Sequence, residues 1–555
     1  MKRVTGWTVA ALLLAMIVVL PTTVTSGLNY CDSMGCSIQF WGAHEHDGIW
    51  HMAVSRMLAD GHGQIMPTLA GVKLTGYNIM LDWVLALLSN ISGVSLSNWY
   101  FRIIPLVWFG TFVLMLHKIQ IAYKLNKYFT PIAIIFGFLG TSFSYLITLA
   151  RSGTLFGSSS LLSMQSALTL FNPQLGLSLL CVIGYWLVIV KKKLGISEYA
   201  QIGVLLAIAL GLKFYTGIIM GMMILAWVGS QARFELADKP RYLVKLALLA
   251  IPSFIVLILF YSPGTGNFPL IWRPFAPVNP LIEDKSLLYI PQLANRLYSE
   301  NGLMLFIVEL IITTLFIIMN FGSRLFGVVA LFWSKKRITQ LEYQLIVGTL
   351  TALACSVLLV QRGVWWNTVQ FLHFALFMSG ILATLGLVEL LQNKSRWTYW
   401  IVGTVLLVTI VPNIDVTRTY LTYPGTSQIS STELEALEFL NKLPDGVVYT
   451  PVFTRNEMSN SNPPLLSETH DTAYIPAYSG KQTYLSDQIQ LELLSLPYRE
   501  RLEKMMKYDC EILNNVKYLY EQKTVPYSNN FESCSNTSLK RVFENETATI
   551  YIVER

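Results

Sequence analysis

The chain has 555 residues, of which 53% are hydrophobic and only 13% are charged, whereas roughly 25% of the residues in a typical soluble protein are charged. So few charges cannot cover the surfaces of the several soluble domains that this length would require, and the composition excludes a soluble protein. The formal net charge is +7, but the basic residues form short groups at the ends of apolar runs, as at Lys394 and Arg396. Such groups hold loops on the cytoplasmic side of a membrane, so the positive charge needs no nucleic-acid partner.

Apolar runs follow one another from the N-terminus to about residue 413. A spanning helix needs roughly 20 apolar residues, and two weak segments, 78–91 and 324–334, are shorter than that. If every other run crosses, the main basic groups all fall in the cytoplasm. We therefore predict an α-helical polytopic membrane protein with about eleven spans, within a range of about ten to thirteen. The predicted spans are 7–26, 101–123, 129–150, 168–190, 199–212, 214–232, 243–261, 302–321, 342–361, 367–391 and 397–413.

The first run is predicted to be an uncleaved span with a cytoplasmic N-terminus, and cleavage of a signal peptide near Thr25 is the alternative. This topology places the first loop (27–77), a loop near 263–300 and the C-terminal segment outside the cytoplasm. The C-terminal segment is polar and contains helix and strand patterns. We predict a multi-span domain, 1–413, that includes the first loop, and a small exocytoplasmic α/β domain, 414–555.

The cysteines follow the same division. Cys31 and Cys36 lie in the first loop and Cys510 and Cys534 in the C-terminal segment, whereas the other two lie inside predicted spans. Paired cysteines in outer segments are typical of an oxidising compartment. They suggest two disulfides, Cys31–Cys36 and Cys510–Cys534, with four free thiols as the alternative.

The first loop contains the most unusual stretch of the chain, Trp41-Gly-Ala-His-Glu-His-Asp-Gly-Ile-Trp-His51. Apolar residues then repeat at helical spacing up to Leu58, and Asp60-Gly61 supplies a stop. We predict a short amphipathic helix that lies on the membrane surface, with Asp47 as its N-cap. The plain interpretation is that Asp47 only caps this helix. The neighbouring acid and imidazoles favour acid–base chemistry, because carboxylates and imidazoles are the usual proton carriers in enzymes.

Taken together, the first span, the acidic outer loop, the many further spans and the outer C-terminal domain resemble the GT-C superfamily of membrane glycosyltransferases, which use polyprenyl-phosphate-linked sugars. The run Asp47–His51 looks like a loop of prokaryotic members of this superfamily. So do Asn172-Pro173-Gln174, Gly211-Leu212-Lys213 and Trp366–Gln370. The adjacent acidic pair that is common in the family is absent, because His46 separates Glu45 from Asp47.

The resemblance implies that Asp47 is the general base, with Glu45 as its orienting partner and His46 and His51 in supporting positions. It also implies a lipid-phosphate leaving group, which needs nearby positive charge. The candidate phosphate ligands are Arg151, Lys213, Arg273 and Arg362. Each is individually more often a snorkelling or ion-paired residue.

No cofactor is required by these residues. A divalent metal ion bound by His44, His46 and Asp47 is left open by their ligand chemistry, although their spacing matches no established metal motif.

The sequence therefore favours a glycosyltransferase that moves a sugar, mannose-like or another hexose, from a polyprenyl-phosphate donor to a glycan, lipid or protein acceptor on the exocytoplasmic face. The favoured location is a prokaryotic plasma membrane, with the endoplasmic reticulum as the alternative. Two other functions stay open. A transporter or flippase of lipid-linked glycans is suggested by Lys213 between two short apolar runs. A non-catalytic envelope-assembly protein would use the outer domain as a binding module.

Overall fold

The computed structural model describes residues 5–32, 35–153, 172–191, 194–235, 239–261, 270–285, 287–334, 337–362, 365–453, 461–523, 528–531, 534 and 538–555. Within these ranges, seven helices are long and apolar enough to cross a membrane: Gly6–Val24, Leu96–Ala122, Phe214–Gln231, Pro240–Tyr261, Leu303–Phe321, Gln340–Leu358 and Asn367–Gln392. Six shorter apolar helices accompany them: Met80–Ser92, Phe129–Leu139, Pro173–Ile189, Ile196–Leu212, Arg324–Trp333 and Arg396–Ile410. The predicted polytopic helical fold is confirmed, and the count of about eleven crossings stays a prediction.

The helices follow the apolar runs closely, with one correction. The run predicted as a single span over 129–150 is broken, because its helix ends at Leu139 and Gly140 has extended backbone angles. A second helix, Ser144–Ser152, follows the break. Lys213, which the sequence places between two short apolar runs, is a single extended residue between Ile196–Leu212 and Phe214–Glu235.

The remaining helices are short and lie mostly in the predicted outer segments. They are Asp47–Ala59, Pro280–Glu283, Pro291–Ser299, Asn413–Leu421, Ser431–Lys442, Leu466–Thr469, Tyr474–Ser479, Gln488–Leu493 and Arg499–Met506. The described part of the chain also forms nine strands: β1 (Leu28–Asp32), β2 (Gly35–Phe40), β3 (Leu270–Trp272), β4 (Leu359–Gln361), β5 (Ser427–Ser430), β6 (Val448–Tyr449), β7 (Tyr518–Gln522), β8 (Ser538–Glu544) and β9 (Ala548–Glu554).

Internal contacts divide the chain into two compact units. The first unit contains residues 1–22, 106–259 and 270–419, and the second contains 23–105, 260–269 and 420–555. The second unit thus combines the first loop with the C-terminal segment. The predicted domain boundaries, 1–413 and 414–555, stay a prediction.

Two sheets organise the second unit. β1, β2 and β5 form an antiparallel sheet, so a strand of the C-terminal segment pairs directly with the first loop. The other sheet has the order β6-β7-β9-β8, with β6 parallel to β7 and the other pairs antiparallel. β7 is buried along its whole length, so both faces of the sheet are covered at this strand.

Both suggested disulfides are present. Cys31–Cys36 joins β1 to β2 across directly paired positions, and Cys510–Cys534 closes a loop of the C-terminal segment. Cys181 and Cys355 are free and lie in apolar helices. The helix and strand patterns predicted for the C-terminal segment are present in the structure, for example as Ser431–Lys442, β6 and β9.

Candidate active site

The helix Asp47–Ala59, here called the loop helix, is present where the sequence predicts it. Its predicted position on a membrane surface is wrong. Ile49 and Met52 lie outside the predicted apolar face, yet both are buried along with that face. The loop helix packs against Met80–Ser92 and Tyr474–Ser479. Protein therefore covers the helix on nearly every side, and this burial fixes the position of its first turn.

The loop helix begins one residue earlier than predicted. The carbonyl of His46 accepts the first helical hydrogen bond, from the backbone N–H of Trp50 at 2.9 Å, so His46 is the N-cap. No side-chain hydrogen bond caps the helix from this residue. Asp47 is instead the first helical residue, and its side chain is 45% exposed. The prediction that Asp47 is the N-cap is therefore wrong, and its carboxylate is accessible to solvent.

His46 lies between two carboxylates. Its Nδ1 is 3.2 Å from Oδ1 of Asp47, and its Nε2 is 3.1 Å from Oδ1 of Asp487. Burial lowers the pKa of His46, but the carboxylates of Asp487 and Asp47 outweigh burial and raise it to about 11. An imidazolium donates from both ring nitrogens, which matches the two acceptors. His46 is therefore a cation that joins the exposed Asp47 to a buried acid.

Asp487 is fully buried and has left-handed backbone angles, φ 52° and ψ 60°. A left-handed residue other than glycine costs roughly 1–2 kcal/mol. The carboxylate of Asp471 holds this turn, since it accepts the N–H of Asp487 at 2.7 Å and that of Gln488 at 2.9 Å. Burial and the neighbouring Asp487 raise the pKa of Asp471 to about 6. We call Asp47, His46, Asp487 and Asp471 the carboxylate cluster.

Asp487 and Asp471 are missing from the residues that the sequence indicates. The contact between His46 and Asp487 spans 441 residues, and no local spacing encodes such a contact. The available signal was the dipeptide His470-Asp471, which repeats His46-Asp47.

Glu45 has other partners than the resemblance implies. Its Oε2 accepts from the hydroxyl of Thr426 at 2.9 Å, and its Oε1 lies 3.0 Å from Nε2 of His470. Among the described contacts, His46 lies beside the carboxylate of Asp47, whereas the resemblance implies Glu45 in that position. Glu45 thus connects the first loop to the C-terminal segment, and a catalytic role for it stays a prediction.

His51 and His44 are both buried in the second unit. Nδ1 of His51 lies 3.0 Å from the buried carboxylate of Asp82, and Tyr77 and Tyr100 stack on the imidazole faces. An acid inside the weak apolar segment 78–91 is itself a signal of a specific partner, and the sequence interpretation did not use it.

His44 bonds the hydroxyl of Ser26 at 2.8 Å through Nδ1. In the part of the chain that the structure describes, no group of three His, Cys, Asp or Glu side chains could hold a metal ion. The set His44, His46 and Asp47 therefore gains no support as a metal site.

The four predicted phosphate ligands all lie in the first unit. Lys213 is only 5% exposed, and its ammonium lies 6.0 Å from the ring centroid of Tyr215. The hydroxyl of Tyr215 donates to Gln361 at 2.6 Å, and Gln361 also accepts from Asn367. The run Gly211–Lys213 and the run Trp366–Gln370, both singled out in the sequence, therefore meet in one partly buried polar region through Tyr215.

The three arginines are exposed and separate from one another in their contacts. The guanidinium of Arg151 donates to the carbonyls of Leu287 and Leu288. Arg273 directly follows β3, and Arg362 directly follows β4. Because these strands are antiparallel, the two residues flank opposite ends of the ladder, roughly 13 Å apart along it. The structure does not gather the three arginines into one site.

The charge of His46 predicts a pH dependence of stability. The pKa of His46 is 6.5 in the unfolded chain and about 11 in the folded one, so its stabilising contribution is complete below pH 6.5 and is lost as the pH rises towards 11. We expect the melting temperature in detergent to fall more steeply between pH 7 and pH 9 for the wild type than for a double variant, His46→Gln with Asp487→Asn. Parallel curves for the two proteins would contradict a charged His46.

No family model and no curated protein matches the chain. Among solved structures, ArnT from Cupriavidus metallidurans bound to undecaprenyl phosphate is similar at 11% identity, with a TM-score of 0.45 over 99% of this chain and 98% of ArnT. ArnT in the apo state gives 11% identity and a TM-score of 0.39 over the same shares. The archaeal oligosaccharyltransferase AglB from Archaeoglobus fulgidus is also similar, in a complex with an inhibitory peptide and a dolichol-phosphate. Its sequence identity is 12% and its TM-score is 0.49, over 93% of this chain and 69% of AglB.

Proposed function

We propose that this protein is a membrane glycosyltransferase that transfers a sugar from a polyprenyl-phosphate donor to an acceptor hydroxyl, with Asp47 as the general base. The observation that carries the proposal is the position of Asp47. Its carboxylate is accessible, yet it is held at the start of a buried helix by an imidazolium that a buried carboxylate anchors in turn. A cap or a solvated surface acid needs no such support.

The reaction follows from this arrangement. Asp47 removes the proton of the acceptor hydroxyl as that oxygen forms a bond to the anomeric carbon of the sugar. The bond from the anomeric carbon to the phosphate oxygen breaks, and the lipid phosphate leaves with the electron pair and one additional negative charge. A positioned base contributes on the order of 10²–10⁴-fold to the rate of such a step. The proton then passes from Asp47 to solvent, which reaches this side chain.

The leaving phosphate requires compensating positive charge. Of the four candidates, Lys213 is the one best suited by its surroundings, because a buried ammonium interacts more strongly with an anion than an exposed guanidinium does. A lysine that lies beside Tyr215 in a region with Gln361 and Asn367 also has neutral hydrogen-bonding neighbours that suit a sugar phosphate. Arg151, Arg273 and Arg362 are secondary candidates.

The finer assignments belong to the same proposal. The donor is a polyprenyl-phosphate hexose, mannose-like or otherwise, and the acceptor is a glycan, a lipid or a protein. Asp47 acts on the exocytoplasmic face of a prokaryotic plasma membrane, with the N-terminus in the cytoplasm and residues 414–555 outside. The paired cysteines of the first loop and of the C-terminal segment support the outer placement, since disulfides persist in oxidising compartments.

The proposal is tested with purified wild-type protein in proteoliposomes that contain a radiolabelled polyprenyl-phosphate hexose and a membrane lipid extract as acceptor. We expect label to leave the donor and to appear in a new product or in free sugar, with and without a chelator. Movement of intact donor across the bilayer without its consumption would support a transporter instead. No consumption of mannose or glucose donors by folded protein, with lipid, glycan and peptide acceptors supplied, would contradict the proposed function.

A further inference from the structure

We propose that Asp487 and Asp471, two acids of the C-terminal segment, are positioning residues for the base: Asp471 fixes the turn at Asp487, Asp487 fixes His46, and His46 fixes the carboxylate of Asp47. This inference rests on the proposed function, because it assigns residues to the same reaction. It extends that function by making the C-terminal segment part of the acid–base machinery. Neither Asp487 nor Asp471 touches the reacting atoms.

The first step concerns the freedom of Asp47. A half-exposed aspartate at the start of a helix has several rotamers of similar energy, and only some of them point towards a bound hydroxyl. The contact between Nδ1 of His46 and Oδ1 of Asp47, at 3.2 Å, selects among these rotamers. Such orientation increases the efficiency of a base, because the carboxylate must lie within hydrogen-bond distance of the proton that it removes.

The second step concerns His46. An imidazole ring that precedes a helix can rotate about two side-chain bonds, so a single contact to Asp47 would not hold it. Asp487 supplies the second contact, at 3.1 Å from Nε2. Oδ1 of Asp487 also accepts the N–H of Gln490 at 3.3 Å, and Oδ2 has no hydrogen-bond partner among the described residues. A fully buried carboxylate with an unbonded oxygen is costly, and the imidazolium of His46 balances its charge.

The third step concerns the turn at Asp487. Its left-handed angles aim the side chain at His46, and these angles are uncommon for residues other than glycine, with Asp among those that adopt them most readily. Strain of this kind persists where the surroundings enforce it, and it clusters at functional sites. The two hydrogen bonds to the carboxylate of Asp471 enforce it here.

The test compares Asp487→Asn, Asp487→Gly and Asp471→Asn with the wild type in the proteoliposome assay. We expect Asp487→Asn to lower kcat by about 10- to 100-fold, the usual effect of removing a partner that orients a functional group, with little change in KM for the donor. Asp487→Gly relieves the left-handed strain and removes the anchor, so it should lower kcat at least as much. Asp471→Asn should act in the same direction.

Ser495→Gly is the matched control. Ser495 also has a positive φ, of 53°, and lies eight residues after Asp487, so this variant relaxes a left-handed residue and leaves the carboxylate cluster intact. Its kcat should equal that of the wild type. A loss of activity in Ser495→Gly as large as in Asp487→Gly would show that the backbone of this region, and not the carboxylate, matters.

A second measurement is independent of activity. In protein labelled at histidine, NMR titration should give His46 a pKa far above 6.5 in the wild type and a clearly lower one in Asp487→Asn. An unchanged titration of His46, or full kcat in Asp487→Asn, would overturn the positioning role. If the wild type transfers no sugar, the proposed function fails, and the titration still decides whether Asp487 anchors the imidazolium.

Discussion

Replacement of Asp47 by Asn should reduce kcat for sugar transfer by about 10²- to 10⁴-fold, the range over which a positioned base contributes. An amide has nearly the same shape as the carboxylate but cannot accept the proton of the acceptor hydroxyl. Because the side chain is 45% exposed and does not cap the loop helix, the substitution should leave the melting temperature and the yield of folded protein close to those of the wild type. The measurement is the initial rate at saturating donor.

Two further variants identify the base. Asp60→Asn is the matched control, since Asp60 directly follows the loop helix and pairs with Arg56 at 2.7 Å; it should retain full activity. Glu45→Gln should lose less activity than Asp47→Asn, because Glu45 bonds Thr426 and His470. Full activity in Asp47→Asn together with a large loss in Glu45→Gln would transfer the role of base to Glu45.

Much of the fold could be predicted because a long apolar segment in a lipid bilayer has to be helical. Each predicted span contains an apolar helix in the structure, apart from the part of 168–190 that lies outside the described residues. Apolar length alone specifies such helices, since every backbone group must be bonded within the segment. The error at 129–150 has the same origin. The length and apolar character of this run do not show that the helix ends before Gly140, where the backbone becomes extended.

The loop helix shows where periodicity misleads. Its apolar residues at three- and four-residue spacing suggested one apolar face, and the same face is expected whether lipid or protein covers it. Ile49 and Met52 lie off that face and are also buried, which shows that protein covers the helix. The covering helix Tyr474–Ser479 comes from a segment more than 400 residues away, which a local pattern cannot specify.

Only part of the carboxylate cluster could be predicted from the sequence, again because a local pattern does not specify distant contacts. Asp47 and His46 are conspicuous in the sequence because they stand in a polar loop beside a span. Asp487 and Asp471 stand in a polar segment where acids are common, and only the fold brings Asp487 to within 3.1 Å of His46. The pairing of β2 with β5 and the bond from Thr426 to Glu45 bring the two segments together. The proposed base thus lies in the first loop, and its proposed anchor lies in the C-terminal segment.

Replacement of Lys213 by Met should raise KM for the lipid-linked donor by about 10- to 100-fold, which corresponds to the roughly 1.5–3 kcal/mol of a hydrogen bond to a charged group. Met preserves the length and the apolar packing of the lysine stem, so the substitution removes mainly the charge. We expect a smaller change in kcat than in KM, since binding of the phosphate is used in the ground state as well as in the transition state. The measurement is the donor concentration dependence of transfer.

Lys245→Met provides the matched control. Lys245 is likewise a buried lysine of the first unit, 8% exposed, with its ammonium 4.8 Å from the ring centroid of Tyr199. If Lys213 binds the donor phosphate, Lys245→Met leaves KM unchanged while Lys213→Met raises it. Equal changes in the two variants would assign the effect to the loss of a buried charge over a tyrosine ring. A normal KM in Lys213→Met would remove Lys213 from the phosphate site and leave the role to Arg151, Arg273 or Arg362.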